Sequence, residues 1–148
     1  MSQQNVEIVR AMTEAGRGSE AVGRIAREEF DLSFFFDPEI ELDATGAKDV
    51  FGDVPDIADV YRGEGIRTFW RRWYEAWRDV QFDVQDYLDA GDEVVVLICN
   101  QRQLGRYSGI PSELPPYALV YTFGKGKVVR LRIFPNHDSA LKAVGLEE

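Results

Sequence analysis

The chain has 148 residues, 45% of them hydrophobic, which is close to the commonest size of a single domain with a sizeable core. Its formal net charge of −9 makes it a poor candidate for binding the phosphates of nucleic acid or an anionic membrane surface. A single cysteine, Cys99, excludes an intrachain disulfide, and the N-terminus lacks the pattern of a signal peptide. We therefore expect one cytoplasmic domain over residues 1–148, with no nucleic-acid partner and no membrane partner.

Two helices are predicted before the first strand. Apolar residues recur at helical spacing over residues 3–14, and Gly16 and Gly18 end this helix. A second helix is predicted over residues 19–29, with Ser19 as its N-cap.

A short strand is predicted over residues 39–43, where polar and apolar residues alternate. Residues 34–38, which include Pro38, are predicted to form a turn or a helix end before it. Residues 44–60 have the glycines, proline and aspartates of a loop.

The most distinctive segment is an aromatic helix predicted over residues 61–78. The tryptophans Trp70, Trp73 and Trp77 fall on one face at helical spacing, and Tyr74 lies beside them. So wide an aromatic face must contact either a packed core or the wall of a pocket.

Antiparallel strands dominate the second half of the chain. They are predicted over residues 80–88, 93–107, 117–123 and 127–134, and residues 108–116 are read as a connection. Turn residues at 90–92 and 124–126 predict two hairpins. A short terminal helix, capped by Asn136 or Asp138 and ended by Gly145, completes an α+β protein with helices on one face of a curved sheet.

Five segments of the chain resemble the SnoaL-like branch of the NTF2-like superfamily. They are FDPEIE at 36–41, YRG at 61–63 leading into the aromatic helix, DAGDEVVVL at 89–97, GKVVR at 126–130 and ALKAVGL at 140–146. The resemblance covers about residues 3–146 and implies a cone-shaped α+β barrel, with a pocket between the helices and the concave sheet. It also implies a homodimer formed through the outer face of the sheet. The superfamily includes polyketide cyclases, ketosteroid isomerases, dehydratases, epoxide hydrolases and non-catalytic binding modules.

Asp43 and His137 are candidates for acid–base catalysis. Asp43 resembles the base at the end of the first strand in ketosteroid isomerases, although Leu119 stands where their protonated acid falls. The alternative is an aspartate in a turn at the end of the strand. His137 is the only histidine and follows the last strand, where it is either a surface residue or a general base at the pocket mouth.

Asn100 and Arg102 are the remaining catalytic candidates. They alternate on one predicted strand, with Asp86 on its neighbour, which is suggestive of the aspartate, arginine and asparagine of limonene-type epoxide hydrolases. The alternative is a polar sheet edge or a dimer surface. No spacing of histidines and cysteines predicts a metal site, and no glycine loop predicts a phosphate-bearing cofactor.

An aromatic set is predicted to contact a small hydrophobic ligand. Its members are Trp70, Trp73, Tyr74, Tyr117, Leu119, Tyr121 and Phe134. Tyr117, Leu119 and Tyr121 alternate along one strand and should share a face. Simple core packing is the alternative for most of the set.

Two functions therefore remain open from the sequence. The first is a polyketide cyclase-, isomerase- or epoxide hydrolase-like protein with a small hydrophobic or aromatic molecule in its cone. The second is a non-catalytic homodimeric binding or interaction module whose cone is filled by its own side chains.

Overall fold

The computed structural model of the chain describes residues 2–15, 36–46 and 60–146. These ranges contain three α-helices, α1 (Ser2–Ala15), α2 (Ile66–Ala76) and α3 (His137–Ala143), and a 3-10 turn at Gly63–Gly65. They also contain seven strands: β1 (Phe36–Asp43), β2 (Val60–Arg62), β3 (Trp77–Ala90), β4 (Glu93–Gly105), β5 (Pro111–Leu114), β6 (Tyr117–Gly124) and β7 (Lys127–Phe134).

The strands form one open, curved sheet in the order β2-β1-β7-β6-β4-β3. Strand β6 pairs with residues 93–98 of β4, and the short strand β5 pairs with residues 101–104 of the same strand. Every pairing is antiparallel except that of β1 with β7. The predicted fold class, an NTF2-like α+β fold with helices on a mainly antiparallel sheet, is confirmed.

The sheet has two differently covered faces, because side chains alternate along each strand. On the inner face, apolar residues of α1 and α2 pack with the sheet in one large core cluster that includes Val9, Ile66 and Val96. On the outer face, α3 places Ala140 on a smaller cluster around Val95.

Two segments that the sequence analysis predicts to lack strand structure, residues 34–38 and residues 108–116, contain strand residues. Strand β1 already begins at Phe36, so the predicted turn over 34–38 is partly strand. The β1–β7 register shifts between Phe36 and Glu41, and such an irregularity accommodates Pro38, which has no N–H to donate. The predicted connection over 108–116 contains the short strand β5.

The aromatic helix is shorter than its spacing predicts. Helix α2 is preceded by β2 and the 3-10 turn, and it ends at Ala76, so Trp77 is the first residue of β3 and not part of the helix face. Asp79, two residues further on, has a φ of 53°. This left-handed residue lies within β3, at the irregularity where the register with β4 shifts between Arg78 and Gln81. The predicted helix over 19–29 and most of the predicted loop over 44–60 lie outside the described residues.

The terminal helix is as predicted. Asn136 is the N-cap of α3, since its side-chain oxygen accepts a 2.8 Å hydrogen bond from the backbone N–H of Ser139. Gly145 ends the helix with a φ of 76°, which glycine adopts without strain. Among the described helices, none is long and apolar enough to cross a membrane.

Candidate functional site

Three residues of β6 form a row on the inner face, as the alternation predicts. Tyr117 and Tyr121 are buried, with 5% and 7% of their surfaces exposed, and both belong to the large core cluster. Leu119 lies between them and is half-buried against the same cluster. The shared face of these three residues is confirmed.

A β-bulge at Cys99 determines which polar residues of β4 lie on the same face of the sheet as this row of β6. The register of β3 with β4 pairs Val84 with Ile98 and Asp83 with Asn100, so Cys99 has no partner across the strands. One extra residue reverses the inward and outward positions beyond it. Val94, Val96 and Ile98 face the inner side before the bulge, and Gln101 and Gln103 face it afterwards.

Tyr117, Gln101 and Gln103 form a buried chain of hydrogen bonds. The Tyr117 hydroxyl donates to Oε1 of Gln101, and Nε2 of Gln101 donates to Oε1 of Gln103 over 3.0 Å. Gln101 and Gln103 are only 4% and 2% exposed. The Nε2 atom of Gln103 is buried without a hydrogen-bond partner. The chain therefore ends on an unsatisfied N–H donor.

Tyr117 and Tyr121 are both neutral at physiological pH. Burial raises the pKa of Tyr117 far above its usual value, and the neighbouring Tyr121 adds to the effect. Burial likewise raises the pKa of Tyr121, Tyr87 adds to this, and a side-chain hydrogen bond with Thr13 of α1 lowers it slightly. These phenols act as hydrogen-bond donors rather than as bases.

Trp70 of α2 is half-buried against the inner cluster. Its ring stacks on Phe36, with centroids 6.1 Å apart, and meets Phe69 edge-on at 5.9 Å. Trp73 and Tyr74 belong to α2, but their side chains lie outside what the structure describes.

Phe134, by contrast, lies on the opposite side of the sheet from the tyrosines. Its ring packs against the outer cluster, and the Arg132 guanidinium stands 5.3 Å from its centroid. The structure does not bring this member of the predicted aromatic set to the inner face.

Asp43 also faces outward, because it follows the inward-facing Leu42 in β1. Its Oδ1 atom accepts hydrogen bonds from the backbone N–H and the hydroxyl of Thr45, at 3.0 and 2.7 Å. Its Oδ2 atom lies 3.7 Å from Nη2 of Arg130. This geometry is that of the turn aspartate that the sequence analysis gave as the alternative.

Asn100 and Arg102 share a face, but it is the outer one. The bulge at Cys99 turns both away from the tyrosines, and Arg102 is exposed. Asp86 is paired with the outward-facing Leu97 and is exposed as well.

His137 lies at the start of α3 and contacts the sheet. Its Nε2 atom is 3.0 Å from the carbonyl oxygen of Ile98, next to the bulge. Because a carbonyl only accepts, this nitrogen carries the proton. The imidazole is thus bound to the backbone of β4, and among the described contacts none joins it to Asp43 or to the tyrosine hydroxyls.

Gln101 and Gln103 are the residues that the sequence reasoning missed. Strict alternation from Val94 predicts Asn100 and Arg102 on the inner side. The sequence of β4 contains no residue that would indicate a bulge. One available signal is the tyrosine row itself, since buried tyrosine hydroxyls require partners on adjacent strands. In the described part of the chain, no three His, Cys, Asp or Glu residues are grouped so that they could bind a metal ion.

Comparison with known proteins agrees with this architecture. No curated protein is significantly similar in sequence to the chain. A SnoaL-like polyketide cyclase from Jannaschia sp. CCS1 has a similar crystal structure, with a TM-score of 0.65 and 18% identity over 100% of this chain and 96% of that one. TerC, co-crystallised with polyporic acid, matches with a TM-score of 0.62 and 16% identity over 95% and 97% of the two chains.

A protein of ketosteroid isomerase-like fold from Catenulispora acidiphila DSM 44928, in complex with trimethylamine, matches with a TM-score of 0.62 and 17% identity. This match covers 95% of this chain and 94% of that one. Identities this low show the fold alone. The model of the SnoaL-like domain, however, matches residues 32–131, more than half of the chain. The chain therefore belongs to the SnoaL-like family of the NTF2-like superfamily.

Proposed function

We propose that the chain binds a small, flat, mainly apolar molecule between the inner face of the sheet and its helices. The observation that carries this proposal is the row of Tyr117, Leu119 and Tyr121, an apolar surface with buried polar tips. Small-molecule sites have this composition, in which aromatic walls supply contact area and a few polar atoms fix orientation. The half-buried indole of Trp70 packs against the same core cluster.

The structural relatives support a small ligand of this class. TerC was crystallised with polyporic acid, and two other matches are a SnoaL-like polyketide cyclase and a trimethylamine complex. Trimethylamine is neither flat nor aromatic, so that match supports only a small ligand. Since identity to each of these relatives is at most 18%, none of them identifies the ligand.

Binding is better supported than catalysis. Of the four predicted catalytic residues, Asp43, Asn100 and Arg102 face outward, and the His137 imidazole is bound to the backbone carbonyl of Ile98. Tyr117, Gln101 and Gln103 are phenol and amide groups, which donate hydrogen bonds but do not abstract protons at neutral pH. The guanidinium of Arg10, 5.0 Å from the centroid of the Tyr87 ring, is not a base either. A step at a carbonyl that requires only hydrogen-bond donors is the chemistry that these groups could assist.

A second candidate is a non-catalytic module whose cone is filled by its own side chains. The low exposure of the inner-face residues favours it, since even the large residues Tyr117 and Tyr121 are 5% and 7% exposed. The two candidates differ in one measurable property, which is saturable binding of an apolar molecule.

The test measures binding of fluorene and 9-fluorenone, two flat aromatic probes of equal size, by isothermal calorimetry. We expect saturable binding of at least one probe by the wild type. Leu119→Trp should abolish it by adding bulk to the middle of the row. The matched control, Leu88→Trp, alters a half-buried leucine of the outer cluster and should leave binding intact. No saturable binding by the wild type would favour the filled cone.

A further inference from the structure

We propose that the amide of Gln103 binds the ligand directly and selects molecules that carry a carbonyl oxygen. The inference rests on the proposed function and adds to it the polar group by which the ligand is recognised. It assigns Gln103 as a ligand-contacting residue, with Gln101 and Tyr117 as the residues that position it.

Cross-strand neighbours place this amide pair on the inner face. Gln101 is paired with Phe82 of β3 and Leu114 of β5, and both neighbours pack in the inner cluster. Gln103 is two residues further along the strand and accepts the hydrogen bond from Gln101, so it faces the same side. Its cross-strand partner on β5 is the half-buried Ser112.

The unsatisfied N–H of Gln103 is costly unless a partner binds to it. A buried donor without an acceptor costs about 1–3 kcal/mol, and buried polar groups in folded proteins are nearly always paired. The residue is 2% exposed, so bulk water does not satisfy the donor. A ligand oxygen at this position would remove the penalty.

The direction of the hydrogen-bond chain determines whether the ligand must supply a hydrogen-bond donor or an acceptor. Tyr117 donates to Gln101, Gln101 donates to Gln103, and the free end is therefore a donor. The carbonyl oxygen Oε1 of Gln101 faces the Tyr117 hydroxyl and can only accept, so the phenol, which burial keeps protonated, is the donor of this bond. A buried donor end binds an acceptor such as a ketone or quinone oxygen, and each donor in the chain strengthens the next.

The experiment compares 9-fluorenone, which has a carbonyl oxygen, with fluorene, which has a methylene group in its place. One hydrogen bond predicts about tenfold tighter binding of 9-fluorenone to the wild type. In Gln103→Leu the ratio of the two dissociation constants should fall to about one, while fluorene still binds. The matched control is Gln81→Leu, because Gln81 is an exposed glutamine of β3 paired with Arg102.

The outcomes separate the two proposals. If both probes bind the wild type equally, or if Gln103→Leu keeps the tenfold preference, the assignment of Gln103 is overturned and the binding function stands. If neither probe binds the wild type, the proposed function fails and this inference fails with it. A Gln103→Met variant, of similar length, replaces Gln103→Leu if the latter does not fold, and the same loss of preference is expected.

Discussion

At the scale of single residues, the candidate site depends on one residue that has no cross-strand partner. Cys99 occupies the bulge, and its position exchanges Asn100 and Arg102 for Gln101 and Gln103 on the inner face. The row on β6 could be predicted because period-two alternation is unbroken there. The partner residues on β4 could not, because a bulge depends on the pairing of two strands and not on the sequence of one.

The buried hydrogen-bond chain predicts that removing one of its members destabilises the protein more than removing all three polar side chains. Tyr117→Phe leaves Oε1 of Gln101 without its donor and should lower the free energy of unfolding by about 1–3 kcal/mol. A triple variant that combines Tyr117→Phe with Gln101→Leu and Gln103→Leu should restore most of that loss, because none of the three side chains then buries a polar atom. Urea unfolding of the single and triple variants measures both effects. A triple variant less stable than Tyr117→Phe would contradict this account.

At the scale of elements, hydrophobic periodicity predicted most strands and two of the described helices, and it failed where two elements meet. Trp77 fits the helical spacing of the preceding tryptophans, yet it belongs to β3. Spacing alone cannot locate this boundary, since an aromatic residue at the start of a buried strand satisfies the same pattern. The strand β5 was missed because four residues next to prolines resemble a loop.

Helix α3 depends on its N-cap, because seven residues are too few for a stable isolated helix. Asn136→Ala removes the 2.8 Å hydrogen bond to the backbone N–H of Ser139 and should destabilise the protein by about 1 kcal/mol. Asn136→Asp retains a side-chain acceptor and should be nearly neutral. Thermal unfolding followed by circular dichroism measures the difference. Equal stability of Asn136→Ala and the wild type would mean that α3 contributes little to covering the outer cluster.

At the scale of the whole molecule, the two faces of the sheet use different chemistry. Ion pairs cross the outer face, where Arg130 lies 3.2 Å from Glu41 and Arg132 lies 2.6 Å from Glu93. On the inner face, by contrast, the buried polar groups Tyr117, Gln101 and Gln103 are neutral and are joined by hydrogen bonds, and the guanidinium of Arg10 stands over the ring of Tyr87. The fold class could be predicted from the order of the helices and strands. Which residues lie on the inner face and which on the outer face could not, because that depends on the register of the strands.

The buried tyrosines predict that the protein unfolds in alkali. Folding raises the pKa of both Tyr117 and Tyr121, whereas in the unfolded chain such groups lose their protons near pH 10. Above that pH the unfolded state binds fewer protons than the folded state, so stability falls as pH rises, while below it this contribution is fully present. Each tyrosine contributes a slope of about 1.4 kcal/mol per pH unit.

Urea unfolding at intervals from pH 8 to about pH 11.5 measures this slope. Tyr121→Phe should make it shallower by about 1.4 kcal/mol per pH unit, whatever its effect at neutral pH. Tyr107→Phe is the matched control, because Tyr107 is 90% exposed, and it should keep the wild-type slope. An unchanged slope in Tyr121→Phe would mean that this phenol ionises as readily in the folded protein as in the unfolded chain. Tyr121 would then be reached by water, and the inner face would be wetter than the structure indicates.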